Sequence, residues 1–267
     1  METMEALNLI YYSPTGTTQT IVREIGHGLG LSPIAEYNIS STKTDSGFEL
    51  SNRGLTVIGM PTYSGRLPID AIERLKKFHA NNAPAVIVAV YGNRAFEDAL
   101  LELKEIASNS GFNVIAAAAF IGEHSYSTVD KPLAQGRPDK LDLIQCADFA
   151  RRVHSKMMGL KGKNEVSELE VPGNYPYKER KQLDEAISPE TDFAKCTKCG
   201  ICVDACPTNA ITINDEVITN KELCTWCCAC IKSCPVDARF FNNPIINATK
   251  ERLYSICTER KEPEFFL

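Results

Sequence analysis

Apolar and polar positions change rhythm twice along this chain. In residues 7–12, 55–58, 85–91 and 114–121 apolar side chains run together without alternating. Between those runs, apolar positions recur at helical spacing. Residues 18–29 put Ile21, Val22, Ile25 and Leu29 on one helix face, and 69–78, 96–108 and 139–158 repeat the pattern. A weaker strand is predicted near 34–37. Strands that are apolar throughout are buried on both faces, as in a parallel sheet covered by helices on each side. Five such strand–helix units predict an α/β fold over residues 1–159, a doubly wound five-stranded parallel sheet.

The rhythm breaks at 160–190, a stretch rich in charge that also carries Pro172, Tyr175, Pro176 and Tyr177. It reads as a linker laid along a surface by its prolines and tyrosines. Residues 191–241 have apolar runs too short for a large core, and cysteines dominate them. A small α+β domain held by something other than apolar burial is the expectation there. Residues 242–267 predict a helix capped at Asn247 and reaching Cys257, then a tail ending Glu264-Phe265-Phe266-Leu267.

Composition narrows the function. The net charge of −5 is shared by both halves without a basic excess in either, which argues against nucleic acid and anionic membrane as partners. The longest apolar run, 83–91, is about half the ~20 residues of a membrane span. The first five residues are acidic where an export signal would be basic, so the expectation is cytoplasmic.

Of 11 cysteines, all but Cys146 and Cys257 lie in residues 196–234. An odd count and dense clustering favour metal ligation over disulfides. Two stretches offset by 28 residues, 196–213 and 224–241, align without gaps, and each reads Cys-x2-Cys-x2-Cys-x3-Cys-Pro. Three thiolates spaced by two residues wrap one face of a cubane, and in two-cluster proteins the fourth cysteine serves the other cluster. The spacing therefore assigns Cys196, Cys199, Cys202 and Cys234 to one [4Fe-4S] centre, and Cys224, Cys227, Cys230 and Cys206 to a second. Zinc also suits thiolate tetrads, but its spacings do not normally repeat three cysteines and then a Cys-Pro. Gly200 of the first run is replaced by Cys228 in the second, either as an alternative ligand or as a small buried filler. Trp226 shields the second site or simply packs beside it.

Three loops follow strands. Ser13-Pro14-Thr15-Gly16-Thr17-Thr18 leads into a helix, and hydroxyls with backbone N–H groups there make a phosphate cradle that needs no lysine. The others are Pro61-Thr62-Tyr63-Ser64-Gly65-Arg66 and Tyr91-Gly92-Asn93-Arg94-Ala95-Phe96. All lie at carboxyl ends of strands, where open α/β sheets place ligands.

Residues 191–241 resemble bacterial-type two-cluster ferredoxins, and residues 1–159 resemble flavodoxins. The whole chain resembles flavodoxin–ferredoxin fusions of anaerobes. That resemblance implies FMN as cofactor beside two [4Fe-4S] clusters. It implies phosphate contacts from Ser13, Thr15, Gly16, Thr17 and Thr18, with Pro61 to Arg66 on one side of the ring and Tyr91 to Phe96 on the other. Tyr63 and Phe96 are stacking candidates, although Phe96 reads equally as a core residue. Gly65 would let a peptide flip towards the reduced ring. Arg66 and Arg94 either offset its charge or are solvated, and His124 either approaches the ring or is incidental. The function implied is electron transfer to redox partner proteins. A flavin-dependent reductase fed by the cluster domain is the alternative, and a docking subunit without flavin a third.

Overall fold

The apolar runs form one sheet. The computed structural model describes residues 6–32, 34–41, 47–51, 54–159, 169–180 and 186–267. In chain order its first region contains Ala6–Tyr11 (β1), Thr17–Leu29 (α1), Ile34–Asn38 (β2), Phe48–Leu50 (β3), Gly54–Pro61 (β4) and Ile69–Leu75 (α2). Phe78–Ala80 (β5), Ala83–Tyr91 (β6), Ala99–Asn109 (α3), Phe112–Ile121 (β7) and Lys140–Gly159 (α4) follow. The sheet order is β2-β1-β4-β6-β7, all parallel. This is the flavodoxin-like order, which reverses direction between β1 and β4 and opens a crevice at their carboxyl ends. Helices α1 and α4 bury one face, with Ile21, Ile25, Phe149 and Val153 fully covered, and α2 and α3 bury the other with Leu75, Leu100 and Leu103. A Cβ on Gly59 would stand 2.2 Å from Val22, so this glycine lets α1 lie close on β4.

The cysteine-rich region is small: Glu190–Thr191 (β8), Ile201–Asp204 (α5), Ile211–Ile213 (β9), Val217–Thr219 (β10), Ala229–Lys232 (α6) and Arg239–Phe240 (β11). Pro244–Ile256 (α7) and Glu264–Phe266 (β12) complete the chain. Among the described residues, no helix is long and apolar enough to cross a membrane.

Three details differ from the sequence expectation. The helix expected over 69–78 stops at Leu75, because Phe78 is drawn into a short parallel pair with β3, where it stacks on Phe48 at 4.6 Å beside Tyr37. The cap of α7 is Asn243, whose side chain accepts from the Ile245 and Ile246 amides, and not Asn247; Pro244 follows at the first helical position. The sheet has six strands, since β12 pairs antiparallel with β7 and closes that edge. Of the expected linker, residues 160–168 and 181–185 lie outside the described residues. Residues 169–180 run along the first region, where Leu169 is buried in its core and the Asn174 and Lys178 amides donate to Asp98.

Candidate functional site

The repeat seen in the sequence is also a repeat of backbone geometry. Lys198 and Trp226, Gly200 and Cys228, and Asn209 and Asp237 all have positive φ, each pair 28 residues apart. Such left-handed residues turn successive N–H groups inward, which makes a concavity suited to an anion. The amides of Ala210 and Ala238, again one repeat apart, donate to Cys206 Sγ and Cys234 Sγ at 3.2 Å each. Two open hollows result, each of about 330 Å³. Cys196, Cys199, Cys202 and Cys234 line the first, and Cys206, Cys224, Cys227, Cys228 and Cys230 line the second. Among the described residues, no three potential ligands converge on a point as a single metal ion requires. Burial pushes the Cys227 thiol up to about 12 and Cys230 to about 11, the arginine beside Cys230 opposing that shift. Thiols so placed need a strongly positive metal centre to ionise.

Cys228 is 3% exposed, packs with Ile187, Phe241 and Ile246, and directs its thiol to the Trp226 carbonyl at 3.6 Å. Its counterpart Gly200 faces open space. The cysteine therefore fills a junction that exists on one side only. Trp226 donates to the Ile187 carbonyl at 2.6 Å and packs in the same cluster.

The three strand-end loops meet this region. In the first, Gly16 takes φ 86 and precedes α1, whose ladder begins with the Thr20 amide on the Gly16 carbonyl. The amides of Thr17 and Thr18 thus lie ahead of the first helical bond. Ser13 accepts from the Gln19 amide and is held by Ser40, Thr15 and Thr17 are half-buried, and the Thr18 hydroxyl is buried without a partner. In the second loop, Pro61 ends β4, Thr62 donates its amide to the Val90 carbonyl, and the Thr62 hydroxyl is also buried without a partner. Tyr63 and Arg66 exchange backbone bonds around Ser64 and Gly65, both at positive φ, a type I′ turn. The Gly65 carbonyl accepts from the Asp98 amide at 3.0 Å, so a flip of that peptide would cost this bond.

Tyr63 retains some accessible surface although protein surrounds it, and that enclosure pushes its phenol well above the ordinary value. Nearby Cys227, Asp70, Cys228 and Tyr126 push it in the same direction. Tyr126 packs edge-on to Phe241 at 6.1 Å, and Lys232 of α6 bonds Glu123 and the Ser127 carbonyl at 2.8 Å each. His124 lies over Gly92, where a Cβ would stand 2.3 Å from its ring, and its Nδ1 accepts from the Tyr126 amide.

The polar candidates of the second and third loops are committed elsewhere. Arg66 forms a bidentate pair with Glu102, donates to the Lys178 carbonyl and lies 4.5 Å over the Tyr177 ring. Arg94 pairs with Glu97, and the Asn93 amide donates to the carbonyls of Cys257 and Glu259. Phe96 is 8% exposed and packs on Tyr91 in the core, the packing reading of the two left open above, while Ala95 stays half-buried between them. Both arginines are thus paired with a carboxylate. Sequence reasoning missed Glu102, Asp98 and Lys178, whose partners lie far along the chain.

Residues 189–212 match the family model described as 4Fe-4S binding domain. No curated protein matches. Among solved structures, the chain is similar to a flavodoxin from the domain Archaea (14% identity, 57% of this chain and 99% of that one, TM-score 0.38). It is likewise similar to oxidised flavodoxin 2 from Bacillus cereus (15%, 57% and 99%, TM-score 0.40). The flavodiiron protein from Giardia intestinalis also matches (12%, 61% of this chain but 38% of that one, TM-score 0.37). The fold rests on the strand order itself. With it stands a 4Fe-4S binding segment, the equipment of an iron–sulfur electron-transfer protein.

Proposed function

We propose that this protein moves electrons among two [4Fe-4S] clusters and one FMN, and exchanges them with redox partner proteins in the cytoplasm of an anaerobe. One observation carries the reading: Tyr126, in the loop after β7 at the sheet end where an open α/β fold takes its ligand, packs in one cluster with Trp226 and Cys228, which line the second cysteine hollow. Cys196, Cys199, Cys202 and Cys234 are the proposed ligands of one cluster, and Cys206, Cys224, Cys227 and Cys230 of the other. The Ala210 and Ala238 amides aim a donor at Cys206 Sγ and Cys234 Sγ, the cysteine that each run contributes to the other run's hollow.

FMN fits the loops on the chemistry of the donors. Buried hydroxyls without partners are costly, and Thr18 and Thr62 both have one. A phosphate would receive the Thr18 hydroxyl together with Ser13, Thr15, Gly16 and Thr17 at the N-terminus of α1. Pro61, Thr62, Tyr63, Ser64 and Gly65 would flank one side of the ring, and Tyr91, Gly92 and Ala95 the other. Bound flavin supplies one- or two-electron exchange, and the clusters supply one-electron steps. The chain excludes water at Tyr63 and Tyr126 and fixes the spacing between centres. Arg66, Arg94 and Asn93 hold the loops in place, through the linker and the C-terminal segment.

Anaerobic purification should yield one FMN, about eight irons and about eight sulfides per chain, as two complete cysteine runs and one phosphate loop require. Stoichiometric zinc with no labile sulfide would overturn the cluster assignment. Iron and sulfide without flavin would leave a docking or ferredoxin-type role.

A further inference from the structure

Between the two hollows lies a positive charge that no carboxylate neutralises. Arg239, on β11, is 3% exposed. Its Nη1 donates to Thr191 Oγ1, and its Nη2 donates to Thr219 Oγ1 at 2.8 Å and stands 3.9 Å from Cys230 Sγ. Its Nε is buried without a partner. Among the described residues no Asp or Glu pairs with it, whereas the buried Arg137 has Asp142. A guanidinium stays charged under all ordinary conditions, and a buried one without a counter-ion costs several kcal/mol.

The internal repeat shows that the fold does not demand this charge. One repeat earlier the corresponding residue is Ile211, equally buried at 3% and lining the second hollow as Arg239 lines the first. An apolar side chain therefore satisfies the position in one half, and a cation occupies it in the other. The placement is also shared. Arg239 forms part of the wall of the Cys196 hollow, while its Nη2 reaches Cys230, which lines the other.

We propose that Arg239 is the common counter-ion of both [4Fe-4S] centres, a positioning residue that sets their reduction potentials. The proposal rests on the two-cluster reading above. A cluster with four thiolate ligands is anionic, and reduction adds a further negative charge. A fixed cation beside it stabilises the reduced form more than the oxidised form, so the potential rises. Because the guanidinium is buried, dissolved salt screens little of this effect. One cation beside both sites lifts both potentials together.

The test uses the full chain, purified anaerobically as wild type, Arg239→Met and Arg239→Lys, with iron and sulfide counted first. A wild type without two clusters refutes the underlying reading and is recognised before any potential is measured. Midpoint potentials are then taken by redox titration followed by electron paramagnetic resonance. Arg239→Met should move both potentials to more negative values, and Arg239→Lys should restore most of the shift. Fully loaded Arg239→Met with both potentials unchanged overturns the proposal, as does Arg239→Lys shifted as far as Arg239→Met. If Arg239→Met fails to load, Arg239→Lys decides: loading at wild-type potentials supports the counter-ion. Failure of both variants to load makes Arg239 a clamp on Thr191 and Thr219 and overturns it.

Discussion

His124 illustrates how much a single side chain depends on what folds over it. In the sequence it is one histidine in a loop. In the fold it is covered by Gly92, Tyr126 and the cationic neighbours Arg94 and Lys232, and burial followed by those charges lowers its pKa to about 4. With Nδ1 accepting from the Tyr126 amide, the neutral ring carries its proton on Nε2. The folded value lies below the unfolded ~6.5, so in that window the unfolded chain binds the extra proton. Stability from this group is full above about pH 6.5 and is lost as pH falls towards 4. We expect its ring resonances to titrate near pH 4, and His124→Gln to flatten the fall of urea stability between pH 6.5 and 4. A ring that titrates near 6.5 in the folded protein would refute the burial argument. The eight motif cysteines were legible because their spacing is local. The roles of Arg66 and Asn93 were not, since Glu102, Lys178 and Glu259 come from distant sequence.

The elements that were legible are those whose pattern is self-contained. β1, β4, β6 and β7 are continuous apolar runs, and α1 carries its whole buried face within 13 residues. β12 is different. Three residues, Glu-Phe-Phe, form no period, and only the free edge of β7 makes them a strand. The same holds for β5, where Phe78 is taken from an apparent helix by a stacking partner 30 residues earlier. Phe265 anchors β12, with its ring 5.0 Å from Phe149 and 5.7 Å from Phe120, and Arg152 over its face. Fully buried Phe→Ala changes cost about 3–5 kcal/mol, and this ring is half-buried, so Phe265→Ala should cost about 2 kcal/mol. Equilibrium urea unfolding would measure it. A loss below about 0.5 kcal/mol would mean that β12 adds little to the sheet.

At the scale of the molecule, the cysteine-rich region is inserted into the sheet domain and not simply appended to it. After residues 169–180, which still lie along the first region, the chain builds both hollows and returns through α7 to place β12 beside β7. Arg74 of α2 donates to the Pro207 carbonyl, Lys232 is tied to Glu123, and the Asn93 loop is held by the residues just before β12. Nothing local in 160–190 or 263–267 announces the return. The insertion makes a prediction about metal removal. The small region has little apolar core, so loss of the clusters should loosen it. Once loosened, it can no longer present β12 in register, and the β7 edge should open with it. Hydrogen exchange before and after anaerobic iron chelation would follow the amides of residues 117–119 and 264–266, the paired stretch. We expect protection there to fall by at least tenfold on chelation, about 1.4 kcal/mol. Protection in β1 and β4, at the centre of the sheet, should change much less. Unchanged protection at 117–119 in iron-free protein would show that the sheet holds β12 without the clusters, and that the two regions fold independently.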